Sequence, residues 1–182
     1  MLLERGGVNP NSPDRAGRTP LSHATASGHE GVVRILLGRG DVNPDSLDED
    51  GRTPLSRAAQ SGNIDVVKML LERGGVNPDS SDKAGRTPLS YATRSRHEGV
   101  VKILLGLGEV NPDWSDEDGR TPLSQAAESG NIDVVKMLLE REDVNPDSSD
   151  NADRTPLSYA ATTYGNQGVV KILRKRMSIP IR

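Results

Sequence analysis

Apolar and polar residues alternate along this chain in a pattern that predicts pairs of short helices separated by polar loops. Residues 53–62 carry a narrow apolar face, formed by Leu55, Ala58 and Ala59. A second apolar stripe follows at helical spacing, at Ile64, Val67, Leu70 and Leu71. Residues 76–82 are rich in Asn, Pro, Asp and Ser, which favour turns over helix and sheet. We therefore expect helix, turn, helix and loop in that order.

The boundaries of both helices carry recognisable signals. Thr53 is a good N-cap residue, and Pro54 suits the first helical position, where no amide donor is needed. Gly62 tolerates the left-handed conformation that ends many helices. Asn63 is a good N-cap residue for the second helix. The first helix is too short to persist alone, so it must form by packing on the second.

This pattern recurs with a fixed period, which indicates stacked structural repeats. The tripeptide Thr-Pro-Leu begins every 34 residues, at Thr19, Thr53, Thr87, Thr121 and Thr155. We predict a single repeat domain over residues 1–182. Its parts are a partial repeat over 1–17, full repeats over 18–51, 52–85, 86–119 and 120–153, and a capping repeat over 154–182.

A second, longer period of 68 residues is superimposed on the 34-residue period. Segments 18–51 and 86–119 match at 26 of 34 positions, and segments 52–85 and 120–153 match at 28 of 34. The neighbouring segments 18–51 and 52–85 match at only 21 positions. The unit that was duplicated most recently is therefore two repeats long.

The segment from Gly51 to Ala59, followed by Gly62, Val66-Val67 and Leu70-Leu71, resembles the ankyrin repeat. The resemblance implies an all-α solenoid of helix-turn-helix units with protruding loops or hairpin-like fingers. The near-identical tandem copies also resemble ankyrin arrays of large fungal receptor-like proteins. Ankyrin repeats act as non-catalytic protein-binding modules, and this is the function that the resemblance to them implies.

Two departures from the family pattern affect the expected contacts. The family usually has His after Thr-Pro-Leu, but all five copies here have serine, so bonding between repeats should differ: Ser22, Ser56, Ser90, Ser124 and Ser158. The usual period is one residue shorter, so the finger should be longer, with Asn-Pro-Asp forming a tight turn. Whether the fingers pair as hairpins stays open at this point.

Composition narrows the class of protein further. The chain has 33% hydrophobic residues, no Phe and four other aromatic residues, so a round core built on large rings is excluded. It has no cysteine, which excludes disulfides and thiolate zinc sites. Its net charge of −3 argues against non-specific nucleic-acid binding, and no apolar run suits a membrane. We expect an intracellular protein, cytoplasmic or nuclear.

Candidate chemistry is sparse, and we expect neither an enzyme nor a metal or cofactor site. His29 and His97 begin second helices in alternate repeats and are expected to cap them and to form surface hydrogen bonds. The clusters Asp48-Glu49-Asp50 and Asp116-Glu117-Asp118 resemble calcium ligands in composition but lack the required spacing, so we expect solvated fingertips.

The two ends differ in character. Residues 1–10 match residues 69–78, so the chain starts within a second helix, and Leu2, Leu3 and Leu21 are expected at an unshielded edge. This predicts either a fragment of a longer array or a partner at that edge. The last helix is basic near its end, which suits a helix C-terminus.

The positions that differ between duplicated copies indicate where a protein partner would bind. In ankyrin-like repeats, two ladders of residues face the concave groove, one directly after the serine and one three residues later. Aromatic residues and arginine dominate binding hot spots. The predicted partner-binding residues are Arg57, Gln60, Tyr91, Arg94, Arg96, Trp114, Gln125, Glu128 and Tyr159.

An alternative function is a structural or self-assembling array that stacks through its open N-terminal edge. Weak self-association through that edge is the corresponding expectation. The predicted main partner is another protein, with neither nucleic acid nor membrane involved.

Overall fold

The structure is a computed structural model and describes residues 9–163 and 165–177. Within these residues the chain forms ten helices and no strands. The helices are α1 (Pro20–Ala26), α2 (Glu30–Leu37), α3 (Pro54–Ser61), α4 (Ile64–Glu72), α5 (Pro88–Arg94), α6 (Glu98–Leu105), α7 (Pro122–Ser129), α8 (Ile132–Leu139), α9 (Pro156–Thr162) and α10 (Gln167–Met177).

The helices form five antiparallel pairs, numbered 1 to 5, that stack in two layers. The inner helices α1, α3, α5, α7 and α9 contact one another in sequence. The outer helices α2, α4, α6, α8 and α10 form the second layer in the same way. Each pair therefore packs mainly on its neighbours, which is the architecture of a solenoid. The predicted all-α repeat fold is confirmed.

The core is a continuous strip of small aliphatic side chains between the layers. Inner helices contribute the fully buried Leu55, Leu89 and Leu123, and outer helices contribute Val67, Val101, Leu70 and Leu104. Alanines of the inner helices, such as Ala58 and Ala59, are buried as well. Their small size lets the two helices of a pair approach closely, so an ordered core forms without phenylalanine.

Each inner helix begins with the predicted cap. The Thr53 hydroxyl accepts a hydrogen bond from Ser56 N at 3.1 Å, and Pro54 occupies the first turn. The same cap occurs at Thr19, Thr87, Thr121 and Thr155. The serine hydroxyl is also used locally, since Ser90 Oγ donates to Thr87 O at 2.9 Å. Most links between repeats are therefore made by other residues.

One set of these links lies where the outer helices begin. Asn63 Nδ2 donates to Thr25 O of the preceding pair at 3.2 Å, and Asn166 Nδ2 donates to Ala127 O at 2.9 Å. His97 Nε2 lies 3.0 Å from Gln60 O, which can only accept. His29, Asn63 and His97 occupy the N-cap positions as expected, but none of their side chains bonds its own helix, so the expected side-chain capping is wrong. The surface hydrogen bond expected of His97 is the contact with Gln60 O.

The Asn-Pro-Asp loops provide a second set of links. Asn77 Oδ1 accepts from Asp79 N at 3.0 Å, which forms the expected tight turn. A hydrogen bond links the preceding loop to the loop of Asn77, because Asp45 Oδ2 accepts from Asn77 N at 2.8 Å. The same cross-repeat bond joins Asp79 to Asn111 and Asp113 to Asn145.

The fingers are tight turns between an outer helix and the next inner helix. We number them 1 to 5 with the pair that follows: residues 14–18, 48–52, 82–86, 116–120 and 150–154. In finger 3, Asp82 N donates to Arg86 O at 3.0 Å, and Lys83 N donates to Asp50 O of finger 2 at 2.9 Å. Adjacent fingers are thus joined by a backbone bond, without strands.

Close stacking of the fingers requires glycine at the end of the turn. Gly85 has φ of +73°, and a Cβ there would lie 3.0 Å from Glu117 N of finger 4. The left-handed conformation favours glycine, and the approach of the next finger leaves no room for a side chain. Asp153 takes this position in finger 5, with φ of 58°.

The expectations for the two ends have different outcomes. Leu2 and Leu3 lie outside the described residues, but Leu21 is only 1% exposed, so the expected unshielded edge is wrong at Leu21. The last turn of α10 carries Arg174, Lys175 and Arg176, as the sequence predicts.

Candidate functional site

The fingers and the inner helices lie on one side of the solenoid. The groove that the family resemblance implies would lie on this side, and we call it the concave face for that reason. Each finger is organised by an aspartate at its start. Asp82 Oδ1 accepts from Ala84 N and from Arg86 N, both at 2.9 Å. The same pair of bonds occurs at Asp14, Asp48, Asp116 and Asp150.

The expectation of solvated fingertips is only partly correct. Asp48 and Asp116 are buried, as are Asp82 and Asp150. The two residues that follow are exposed: Glu49 and Asp50 in finger 2, and Glu117 and Asp118 in finger 4. One carboxylate of each cluster therefore holds the finger together, and only the other two face solvent.

The second oxygen of each finger aspartate binds a side chain from the following inner helix, nine residues later. Tyr91 OH donates to Asp82 Oδ2 at 2.5 Å, and Tyr159 OH donates to Asp150 Oδ2 at 2.6 Å. The corresponding donors in pairs 1, 2 and 4 are His23 to Asp14, Arg57 to Asp48 and Gln125 to Asp116. These five residues are the first ladder that the sequence placed in the groove.

This contact changes the interpretation of the first ladder. Tyr91 and Gln125 are each 4% exposed, and Tyr159 is 5% exposed. The premise that the few rings mark a binding surface is wrong for Tyr91 and Tyr159, because both are buried against a carboxylate. The regular nine-residue spacing between aspartate and ladder residue was present in the sequence and is the signal that could have revealed the contact.

Arginine covers the two buried tyrosine rings. The guanidinium of Arg86 lies 5.2 Å from the centre of the Tyr91 ring, and that of Arg154 lies 4.8 Å from the Tyr159 ring. Each arginine also pairs with the finger aspartate, at 2.8 Å for Arg86 and Asp82. Carboxylate, phenol and guanidinium thus form one unit that fixes the finger on the helix.

The ionisation of these groups follows from the same contacts. Burial raises the pKa of Tyr91 to about 12, and its hydrogen bond to Asp82 adds to the effect. Burial alone would raise the pKa of Asp82, but hydrogen bonds from Tyr91 and Arg86 outweigh it and hold that pKa below its usual value. The unit is therefore a neutral phenol that donates to an ionised carboxylate.

We expect Tyr91→Phe to lower the free energy of unfolding at neutral pH by about 1.5–3 kcal/mol, the range for a hydrogen bond to a charged group. The folded-state pKa of Tyr91 lies above the unfolded value, so its contribution is full below about pH 10 and is lost as pH rises towards 12. Urea titrations of both proteins across this range measure the difference. A deficit that persists unchanged at pH 12 would contradict the role of this bond.

The second ladder is exposed on the concave face. It contains Gln60, Arg94, Glu128 and Thr162, one from each of pairs 2 to 5. Arg96 is exposed just beyond the end of α5, and Trp114 is 38% exposed in the loop before finger 4. Of the residues predicted to bind a partner, Gln60, Arg94, Arg96, Trp114 and Glu128 are therefore accessible.

Arg96 differs from the equivalent residues of other pairs in the turn that connects the inner helix to the outer helix. Pairs 1, 2 and 4 have a glycine with positive φ at this position: Gly28, Gly62 and Gly130. Arg96 adopts the same conformation with φ of 61°, which is unfavourable for a side chain. Its guanidinium donates to Ser129 O at 2.6 Å, while Asn131 caps its own helix instead of reaching back.

Two findings bear on other chemistry. None of the helices in the described ranges has the length and apolar character that crossing a bilayer requires. Across the same ranges, no three His, Asp or Glu side chains are grouped so that they could hold a metal ion.

The stacked pairs define a helical-repeat solenoid whose fingers and inner helices present one continuous surface. The chain belongs to the ankyrin repeat family. The family model described as ankyrin repeats (3 copies) matches residues 1–82, 41–113 and 106–181. No curated protein matches the chain significantly. Ankyrin repeats are generally protein-interaction modules and are typically non-catalytic.

Proposed function

We propose that this chain is a non-catalytic module that binds a protein partner on its concave face and loop fingers. The observation that carries the proposal is the contrast between the two ladders. The first ladder is used inside the chain to hold the fingers, whereas Gln60, Arg94 and Glu128 of the second ladder project from the same face. A rigid row of exposed polar residues with one arginine suits recognition of a protein surface.

Trp114 is the second element of the proposed surface. Serine occupies its position in the other loops, at Ser12, Ser46, Ser80 and Ser148. A tryptophan that keeps more than a third of its surface in solvent offers a large area for a partner to cover. As the only tryptophan of the chain, it also reports such covering by its fluorescence.

The test compares two triple variants in affinity capture from a lysate. Gln60→Ala, Arg94→Ala and Glu128→Ala remove the exposed concave ladder, whereas Arg34→Ala, Lys68→Ala and Lys102→Ala truncate three exposed side chains of the outer helices. We expect the concave variant to lose the protein that wild type captures, and the outer variant to retain it. Purified partner should also shift the emission of Trp114.

Loss of capture by the outer variant alone would place the binding surface elsewhere and end the proposal. One observation favours the alternative of self-assembly through the N-terminal edge: Val32 and Ile35 of α2 are each 47% exposed, although Leu21 in the same pair is buried. Light scattering at several concentrations addresses it directly, and a monomer throughout would exclude it.

A further inference from the structure

The concave face carries an uneven distribution of paired and unpaired cations. From finger 2 to finger 5, five arginines on the fingers and inner helices are paired with carboxylates: Arg52, Arg57, Arg86, Arg120 and Arg154. Three further cations, Lys83, Arg94 and Arg96, are exposed and all belong to pair 3. Among the described residues, none of these three forms an ion pair with a carboxylate. We call them the pair-3 cations.

The neighbouring pairs present the opposite charge. Glu49 of finger 2 and Glu117 of finger 4 occupy the position that Lys83 occupies in finger 3, and both are exposed. Glu128 in turn occupies the position of Arg94 on the next inner helix. The pair-3 cations thus form a positive strip across the solenoid with acidic residues on its flanks.

Arg96 is held in this strip at a structural cost. Its backbone is in the left-handed region, where the equivalent residues of three other pairs are glycine. The buried hydroxyl of Thr93 has no hydrogen-bond partner among the described residues, and the link that Asn63 makes to Thr25 has no counterpart from Asn131. A non-glycine residue with a left-handed backbone at an exposed position is an observation that points towards function rather than stability.

We propose that the pair-3 cations bind an acidic, extended segment of the partner protein, which crosses the solenoid at pair 3. This inference rests on the proposed function and specifies the chemistry of the partner. The planar guanidinium groups of Arg94 and Arg96 suit carboxylates, which they can bind through two parallel hydrogen bonds. Glu49 and Glu117 repel the same segment on either side and fix its position along the array.

The probe for this proposal is a fluorescein-labelled short peptide of repeating Gly-Asp-Glu, followed by fluorescence anisotropy at low salt. Its neutral counterpart is a peptide of repeating Gly-Asn-Gln. The binding variant combines Lys83→Asn, Arg94→Ala and Arg96→Gly, each of which installs a residue found at the same position in another repeat: Asn151, Ala26 and Gly28. Removal of the left-handed arginine should not lower the melting temperature, so loss of binding is separable from loss of folding.

We expect the acidic peptide to bind wild type and the binding variant to lose affinity by about tenfold or more, since three charge contacts are removed. Arg34→Ala, Lys68→Ala and Lys102→Ala remove three cations from the outer helices and should change affinity by no more than about twofold. High salt and the neutral peptide should each abolish most of the binding.

Several results overturn this inference: no binding of the acidic peptide by wild type, equal binding by the binding variant, or equal binding of the neutral peptide. Tighter binding of single-stranded DNA through the same cations would assign the strip to nucleic acid and also overturn it. The proposed function fails separately, when partner capture does not depend on the concave ladder. Capture that depends on Gln60 and Glu128 but not on the pair-3 cations would refute only the acidic segment.

Discussion

Asp82→Ala is expected to lower the free energy of unfolding by about 3–5 kcal/mol, as large as the loss caused by breaking a buried ion pair. The Asp82 side chain is fully buried and accepts bonds from Ala84 N, Arg86 N, the Arg86 guanidinium and Tyr91 OH. Alanine leaves these donors without their acceptor. The unsatisfied tyrosine hydroxyl makes the largest contribution to this loss of stability, because it is buried and water cannot replace the lost acceptor.

The matched control is Asp118→Ala at the tip of the next finger. Asp118 also pairs with an arginine, Arg120 at 3.0 Å, but its side chain is 71% exposed. We expect a change within about 0.5 kcal/mol, because water replaces the lost contact. Urea unfolding of the three proteins gives the comparison. Equal losses for the two aspartates would show that burial of the finger aspartate is unimportant for stability.

Leu104→Ala is expected to lower the free energy of unfolding by about 2–5 kcal/mol, the usual range for truncation of a buried leucine to alanine. Leu104 lies in α6 of the central pair and is fully buried. The cavity it leaves weakens both interfaces of pair 3, since a repeat is stabilised by its two neighbours. We therefore expect pairs 1–2 and pairs 4–5 to lose their coupling, so that unfolding becomes less cooperative.

Leu173→Ala is the control for position in the array. Leu173 is equally buried, but it lies in α10 of the last described pair. The same chemical change should lower amide protection mainly in α9 and α10, whereas Leu104→Ala should lower it in pairs on both sides. Hydrogen exchange measured residue by residue distinguishes the two patterns. A uniform loss of protection in both variants would argue against neighbour-limited coupling.

The helices and their order could be predicted because local signals were sufficient. The Thr-Pro start, the glycine after the inner helix and the apolar spacing each act within a few residues. The capping role of Asn63 and His97 could not be predicted correctly from the same kind of signal. A capping side chain accepts from amides of its own helix, whereas these two side chains lie against carbonyl oxygens of the preceding pair, which only accept. The sequence does not show that this backbone is close.

The accessibility of the candidate residues was predicted in part. Sequence comparison of duplicated copies selected residues that the structure exposes, among them Gln60, Arg94 and Glu128. It also included Tyr91 and Tyr159, whose rings looked like surface residues because the aliphatic core does not need them. Burial depends on what lies opposite a side chain, and here the finger aspartate lies there.

The sequence by itself determined the period, the helix pairs, the aliphatic core and the family, since each is encoded in short-range spacing that repeats five times. Only the tertiary structure decided which polar residues are used internally. The finger brings Asp82 against Tyr91 and leaves Lys83 in solvent, although Asp82 and Lys83 are adjacent in the chain. The physical reason is that pairing of charges depends on distances between elements, and spacing along the chain does not specify them.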